Sequence, residues 1–166
     1  IPWAEHICFL DVPAVTEGIR ETIRSAVRES LGHPAVFAYM IGNEIPPDIV
    51  RFVGKPKVEE FIDDLVRTAK EEAPDCLITF ANFPTTEYLK LPFLDLVCFN
   101  VYLEAEYKLK PYLARLHNIA SERPLILALA AAGAVVTLVP SLWQLPFPVL
   151  VGVAVLSTAV VSVDRR

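Results

Sequence analysis

A chain of 166 residues can hold one domain with a substantial core, but it falls short of the roughly 250 residues that eight βα units occupy. Its formal net charge of −5, with no basic stripe, excludes a nucleic-acid surface, which needs clustered cations to displace phosphate counterions. Its 3 cysteines, without metal-ligand spacing, do not describe a disulfide framework and are expected as buried free thiols.

The hydrophobic content of 54% is unevenly spread. No charged residue lies between Leu125 and Val163, and beyond Arg123 only Asp164, Arg165 and Arg166 carry charge. Ile1 is not preceded by a methionine or a basic leader, so the first residues do not read as a targeting peptide. They read as the interior of a strand, with further sequence expected upstream.

Residues 1–3 would end a strand and pass into the polar loop Ala4-Glu5-His6. Trp3 and His6 are site candidates there, the alternatives being a capping aromatic and a solvated histidine. Pro13 then opens a helix in which Val15, Ile19, Ile23, Ala26, Val27 and Leu31 recur at helical spacing, and Gly32 ends it. Residues 35–47 form the stretch around which the chain is organised. This apolar run, rich in β-branched and aromatic residues, is entered through His33-Pro34 and stops on Asn43-Glu44, which predicts a strand buried on both faces. His33, at its entrance, is expected to be structural.

After Ile45-Pro46-Pro47 a loop is expected to Gly54, and then a helix with Val58, Phe61, Ile62, Leu65, Val66 and Ala69 on its buried stripe. The charges opposite that stripe read as a solvated face. Residues 76–80 read as a strand ending near Asn82, residues 85–91 as a short irregular or helical connection, and residues 95–99 as a strand followed by Asn100-Val101-Tyr102. A helix is expected over residues 111–120, with His117 on its surface, and one more strand from Leu125. Strand and helix alternating with short connections predicts an α/β fold with parallel strands. In a (β/α) barrel, polar residues at the carboxyl ends of strands face the active site. Glu44 is therefore a candidate catalytic carboxylate, and Asn43, Asn82, Asn100 and Tyr102 join it as groups suited to a polyhydroxylated ligand. No phosphate loop, dinucleotide fingerprint, serine-nucleophile elbow or His/Cys metal pair is present, so neither a cofactor nor a metal is expected.

The segments IPWAEH, GNEIP, ANFP, FNVYLE and RPLIL resemble the central part of the catalytic barrel of glycoside hydrolase family 2 and its clan relatives, and the glycosidase-like domains fused to membrane glycosyltransferases. The resemblance covers about residues 1–127. It implies an incomplete (β/α)8 barrel, from about strand three to strand seven, with Trp3 and His6 after strand three, Asn43-Glu44 ending strand four and Asn82 ending strand five. It also implies Glu44 as general acid/base, Asn43 as the contact to the sugar 2-hydroxyl, and Tyr102 as the tyrosine near the nucleophile. The pattern departs at the nucleophile itself: where the family carries a glutamate ending strand seven, this chain has Leu129. Glu104 and Glu106 are the nearest substitutes in sequence. Two functions follow as expectations: a β-glycan hydrolase with an incomplete catalytic pair, and a non-catalytic carbohydrate-binding or membrane-anchored module of a polysaccharide synthase.

Residues 1–128 are thus expected as the partial barrel and 129–166 as a hydrophobic tail. The charge-free run exceeds the roughly twenty residues that span a bilayer. Its prolines and Trp143 suggest one or two membrane helices within 129–163, giving a membrane-associated protein.

Overall fold

The computed structural model describes residues 8–103 and 105–128, apart from the side chain of Glu106. Trp3, His6, Glu104, Leu129 and the expected membrane tail lie outside the described residues. Among the described residues no helix is long and apolar enough to cross a membrane.

Four strands, β1 (Tyr39–Asn43), β2 (Ile78–Asn82), β3 (Val97–Asn100) and β4 (Leu125–Ala128), form one parallel sheet in sequential order. Helix α1 (Pro13–Ser30) precedes β1, α2 (Pro47–Val53) and α3 (Lys55–Glu72) join β1 to β2, and α4 (Glu106–Ala120) joins β3 to β4. The connection from β2 to β3 carries only a short 3-10 turn, Pro84–Thr86.

Helices α1 and α3 start with proline in the first turn, where the missing N–H has no partner to lose. The stripe predicted for α3 is buried as Val58, Phe61, Ile62, Leu65, Val66 and Ala69. On α1 the buried face is narrower: Ile23 and Val27 are covered, whereas Leu31 is 59% exposed. The charges of α3 are not simply solvated. Arg20 bonds Asp64 at 2.7 Å, and Arg28 grips Glu72 with two bonds of 2.7 and 2.5 Å. Both pairs join residues 44 positions apart, so α1 and α3 lie side by side and parallel, one βα unit out of phase.

The register fixes which side chains share a face. Ala81 stands opposite Cys98, and Cys98 opposite Ile126. Ile78 and Phe80 pack with α3, while Val97, Phe99, Leu125 and Leu127 pack with Leu113, Leu116 and Ala120 of α4. By strand alternation Phe80, Val97, Phe99 and Leu127 point the same way, so α3 and α4 cover one face of the sheet. The other face carries the small cluster Ala81, Cys98 and Ala128, with Ile126 against it. Sequential parallel strands with helices on one face form an arc of barrel type, unlike a doubly wound sheet, where helices cover both faces.

Three expectations need correction. The organising strand is shorter than the apolar run, and it is not buried on both faces: Met40 is 41% and Phe37 64% exposed, because β1 is an end strand of the described sheet. The loop expected after Pro47 is α2, whose Ile49 and Val50 are buried and whose end is set by Gly54 at φ 96°. Of the three free thiols only Cys98 is buried; Cys8 is partly exposed and bonds Asp11, and Cys76 is half-buried. Burial pushes the Cys98 thiol up to about 11. His33 is exposed, and its Nδ1 accepts the Ala35 N–H at 3.2 Å within the turn before β1.

Candidate functional site

The carboxyl ends of β1 and β3 meet on the small-residue face. Between Met40 and Asn43 the pairing with β2 slips: Met40 stands opposite Thr79, but Asn43 opposite Ala81. Three steps along β1 match two along β2, which is a bulge, and a bulge re-aims the side chain that follows it. Plain alternation would have sent Asn43 to the helix-covered face with Ile41. The bulge puts it on the face of Ala81 instead. Gly42, inside the bulge, is the residue type that tolerates such a kink.

Glu44 follows with φ 41°, in the left-handed region that is uncommon for a residue with a side chain. Its N–H donates to the Ala81 carbonyl at 2.8 Å, and the next residue, Ile45, is fully buried. These two anchors hold the strained backbone, so the carboxylate is delivered by a fixed main chain.

Asn100 arrives from β3, opposite Ala128 and on the face of Cys98, with 7% of its surface exposed. Its Nδ2 donates to Asn43 Oδ1 at 2.8 Å and to Glu44 Oε1 at 2.7 Å. The Tyr102 hydroxyl donates to the same Glu44 Oε1. Loss of surrounding water and the hydrogen bond to the carboxylate push the Tyr102 phenol up to about 12, because a tyrosinate would face Glu44 with no proton between them. The half-exposed Tyr102 ring and the exposed Asn43 leave the group open to solvent.

Asn82 ends its strand but does not join this group. It follows Ala81 by one residue and so faces the helices, standing opposite Phe99. Its Oδ1 accepts the Phe83 N–H at 2.9 Å and the Thr86 hydroxyl at 2.6 Å, and its Nδ2 donates to the Thr86 carbonyl at 3.1 Å. The side chain closes its own loop. Alternation from Phe80 places Asn82 on the helix-covered face, and it would place Asn43 there too but for the bulge, so the separation of the two rests on the pairing.

Arg123, part of the Arg-Pro motif before β4, bonds the Leu91 carbonyl at 2.7 Å and ties down the β2–β3 connection at the opposite end of the sheet. Among the described residues no three His, Cys, Asp or Glu side chains are grouped to hold a metal. The arrangement is one of a carboxylate with one oxygen held by two donors, an amide beside it, and an aromatic ring at the rim. Such a set can bond sugar hydroxyls and exchange a proton at the carboxylate.

No protein-family model matches the chain, and no curated protein matches it. Solved structures do. The beta-glucuronidase of Bacteroides uniformis superposes with a TM-score of 0.61 at 20% identity, over 75% of this chain and 17% of the enzyme. The beta-glucuronidase of Bifidobacterium dentium, solved with coumarin-3-O-glucuronide, superposes with a TM-score of 0.56 at 20% identity, over 71% of this chain and 20% of the enzyme. The chain therefore spans about a fifth of the length of the structures it resembles, and at this identity the likeness is one of fold: the described residues share the α/β, parallel-stranded architecture of β-glycosidase barrels.

Proposed function

We propose that this chain is part of a glycoside hydrolase-like barrel that acts on, or holds, the O-glycosidic bonds of β-linked glycans. The observation that carries this reading is the hydrogen-bonded group of Asn43, Glu44, Asn100 and Tyr102 at the carboxyl ends of β1 and β3. In this reading Glu44 is the general acid/base, Asn43 bonds a hydroxyl next to the scissile bond, and the Tyr102 ring borders the sugar. The likeness in fold to β-glucuronidases supports a β-linked sugar as the ligand class. Trp3 and His6 are kept as ligand contacts from the preceding loop, and Asn82 as a residue that shapes the mouth through Thr86. The barrel segment is assigned to residues 1–128.

A second reading, carbohydrate binding without cleavage, is favoured by two observations. Leu129 stands where the resemblance requires the nucleophile. The Tyr102 hydroxyl bonds Glu44, although the resemblance places that tyrosine near the nucleophile. A retaining hydrolase needs its two carboxylates about 5 to 5.5 Å apart. The charge-free residues 129–163 are proposed as a membrane-associating tail, for which co-flotation of the full chain with lipid vesicles is the test.

The discriminating experiment incubates the full chain and Glu44→Gln with 4-nitrophenyl β-glucuronide and follows both nitrophenol release and binding. Release that disappears in Glu44→Gln supports the hydrolase. Saturable binding without release supports the binding module, and absence of both overturns the carbohydrate reading.

A further inference from the structure

The geometry points to Asn100 as a positioning residue: its single buried amide nitrogen locks Asn43 and Glu44 into one unit and leaves Glu44 Oε2 as the oxygen that meets ligand. The proposal deepens the carbohydrate-site reading and rests on it for the identity of the ligand, whereas the lock itself rests on geometry.

An asparagine amide nitrogen carries two hydrogens and no lone pair to offer. The amide of Asn100 donates to Asn43 Oδ1 at 2.8 Å and to Glu44 Oε1 at 2.7 Å, and it also bonds the Tyr102 oxygen, which works against the rise of that phenol. Two consecutive residues of a strained strand end are thereby fixed by one atom on another strand. The choice of acceptor also fixes Asn43, whose oxygen must face Asn100 and whose NH2 must face the other way.

At Glu44 the consequence is an asymmetric carboxylate. Oε1 accepts from Asn100 and from the Tyr102 hydroxyl. A proton on Oε1 would have to displace the Asn100 N–H, which cannot accept it, or turn the Tyr102 hydroxyl from donor to acceptor, whereas Oε2 takes the proton with both bonds left in place. A general acid needs its proton on the oxygen that faces the departing group. Asn100 therefore selects which oxygen can serve, without touching the ligand. Its 7% exposure suits that role, since a residue meant to bond sugar directly would present its amide to solvent.

The test is NMR on the isotope-labelled full chain. Scalar couplings across hydrogen bonds are expected from Asn100 Nδ2 to Asn43 Cγ and to Glu44 Cδ. The two NH2 hydrogens are expected to differ in shift, with Asn43→Ala moving one and Glu44→Ala the other. Absence of both couplings, or both hydrogens moving together in each variant, overturns the lock. The couplings are read in the unmodified chain, so a variant that fails to fold does not remove the test.

With 4-nitrophenyl β-glucuronide as probe, Asn100→Asp is expected to weaken binding at least about tenfold, because it replaces both donors with acceptors facing Asn43 Oδ1 and Glu44. Unchanged affinity in a folded Asn100→Asp overturns the positioning role. Both couplings present in a wild-type chain that binds no probe support the lock and count against the carbohydrate reading alone.

Discussion

At the amino ends of the strands, polar side chains close backbone groups. Asp95 accepts the Ile78 N–H at 2.9 Å while pairing with Lys70, and Arg123 donates to the Leu91 carbonyl at 2.7 Å. At the carboxyl ends, Asn43, Glu44, Asn100 and Tyr102 bond one another, side chain to side chain, across β1 and β3. The first arrangement satisfies main-chain groups that would otherwise be stranded where strands begin, so folding depends on it. In the second the bonds run from side chain to side chain. Side chains that bond one another at strand ends rather than closing the backbone are what make these four residues the candidate site; Asn82, which ends β2 but closes its own loop, stands with the first group.

The largest effect on stability is expected where that contrast is strongest. Asp95→Ala strands the Ile78 N–H and leaves Lys70 unpaired, and should destabilise the chain by about 1–3 kcal/mol in urea unfolding. Next comes Arg28→Ala, which removes the bidentate pair with Glu72 between α1 and α3. Arg28 is more than half exposed, so solvent screens the pair and the loss should be smaller than that of Asp95→Ala. Glu44→Gln should change stability by no more than about 0.5 kcal/mol, since the backbone anchors at Ala81 and Ile45 remain. A loss as large as that of Asp95→Ala would erase the distinction between the two ends.

The smallest effect is in the pH dependence. Tyr102 has a folded-state pKa raised to about 12 from 10, so its contribution to stability is complete below pH 10 and is lost as pH rises from 10 through 12. Tyr112 is also raised to about 12, through its burial and the neighbouring Glu87, so the two must be separated. A difference ultraviolet titration of wild type minus Tyr102→Phe should isolate one phenol ionising near 12. Glu44→Gln should move that step part of the way toward 10, because the hydrogen-bonded charge goes while the loss of water remains.

Much of the architecture was legible in the sequence because amphipathic stripes report burial directly. The α3 stripe and the parallel alternation are instances, and the clustering of Asn43, Glu44, Asn100 and Tyr102 follows from the rhythm of strand ends. What was not legible depended on pairing. The Ile45-Pro46-Pro47 run reads as a loop because two prolines are turn signals, yet Pro47 is the first residue of α2. Strand ends alone cannot tell Asn82 from Asn100; the register does, by setting one against Phe99 and the other against Ala128. The bulge that turns Asn43 inward left only Gly42 as its trace. Helix α4 begins at Glu106 rather than at Pro111, because the Tyr107 carbonyl orphaned by the proline lies in the exposed first turn.

The most direct measurement titrates the full chain with 4-nitrophenyl β-glucuronide while the Asn100 amide and Tyr102 ring signals are followed by NMR, in wild type and in Glu44→Gln. A carbohydrate site built on Glu44 predicts saturable shifts at both residues, with affinity at least about tenfold weaker in a Glu44→Gln chain of unchanged stability. Shifts absent from both residues, or an affinity that Glu44→Gln leaves untouched, would contradict it.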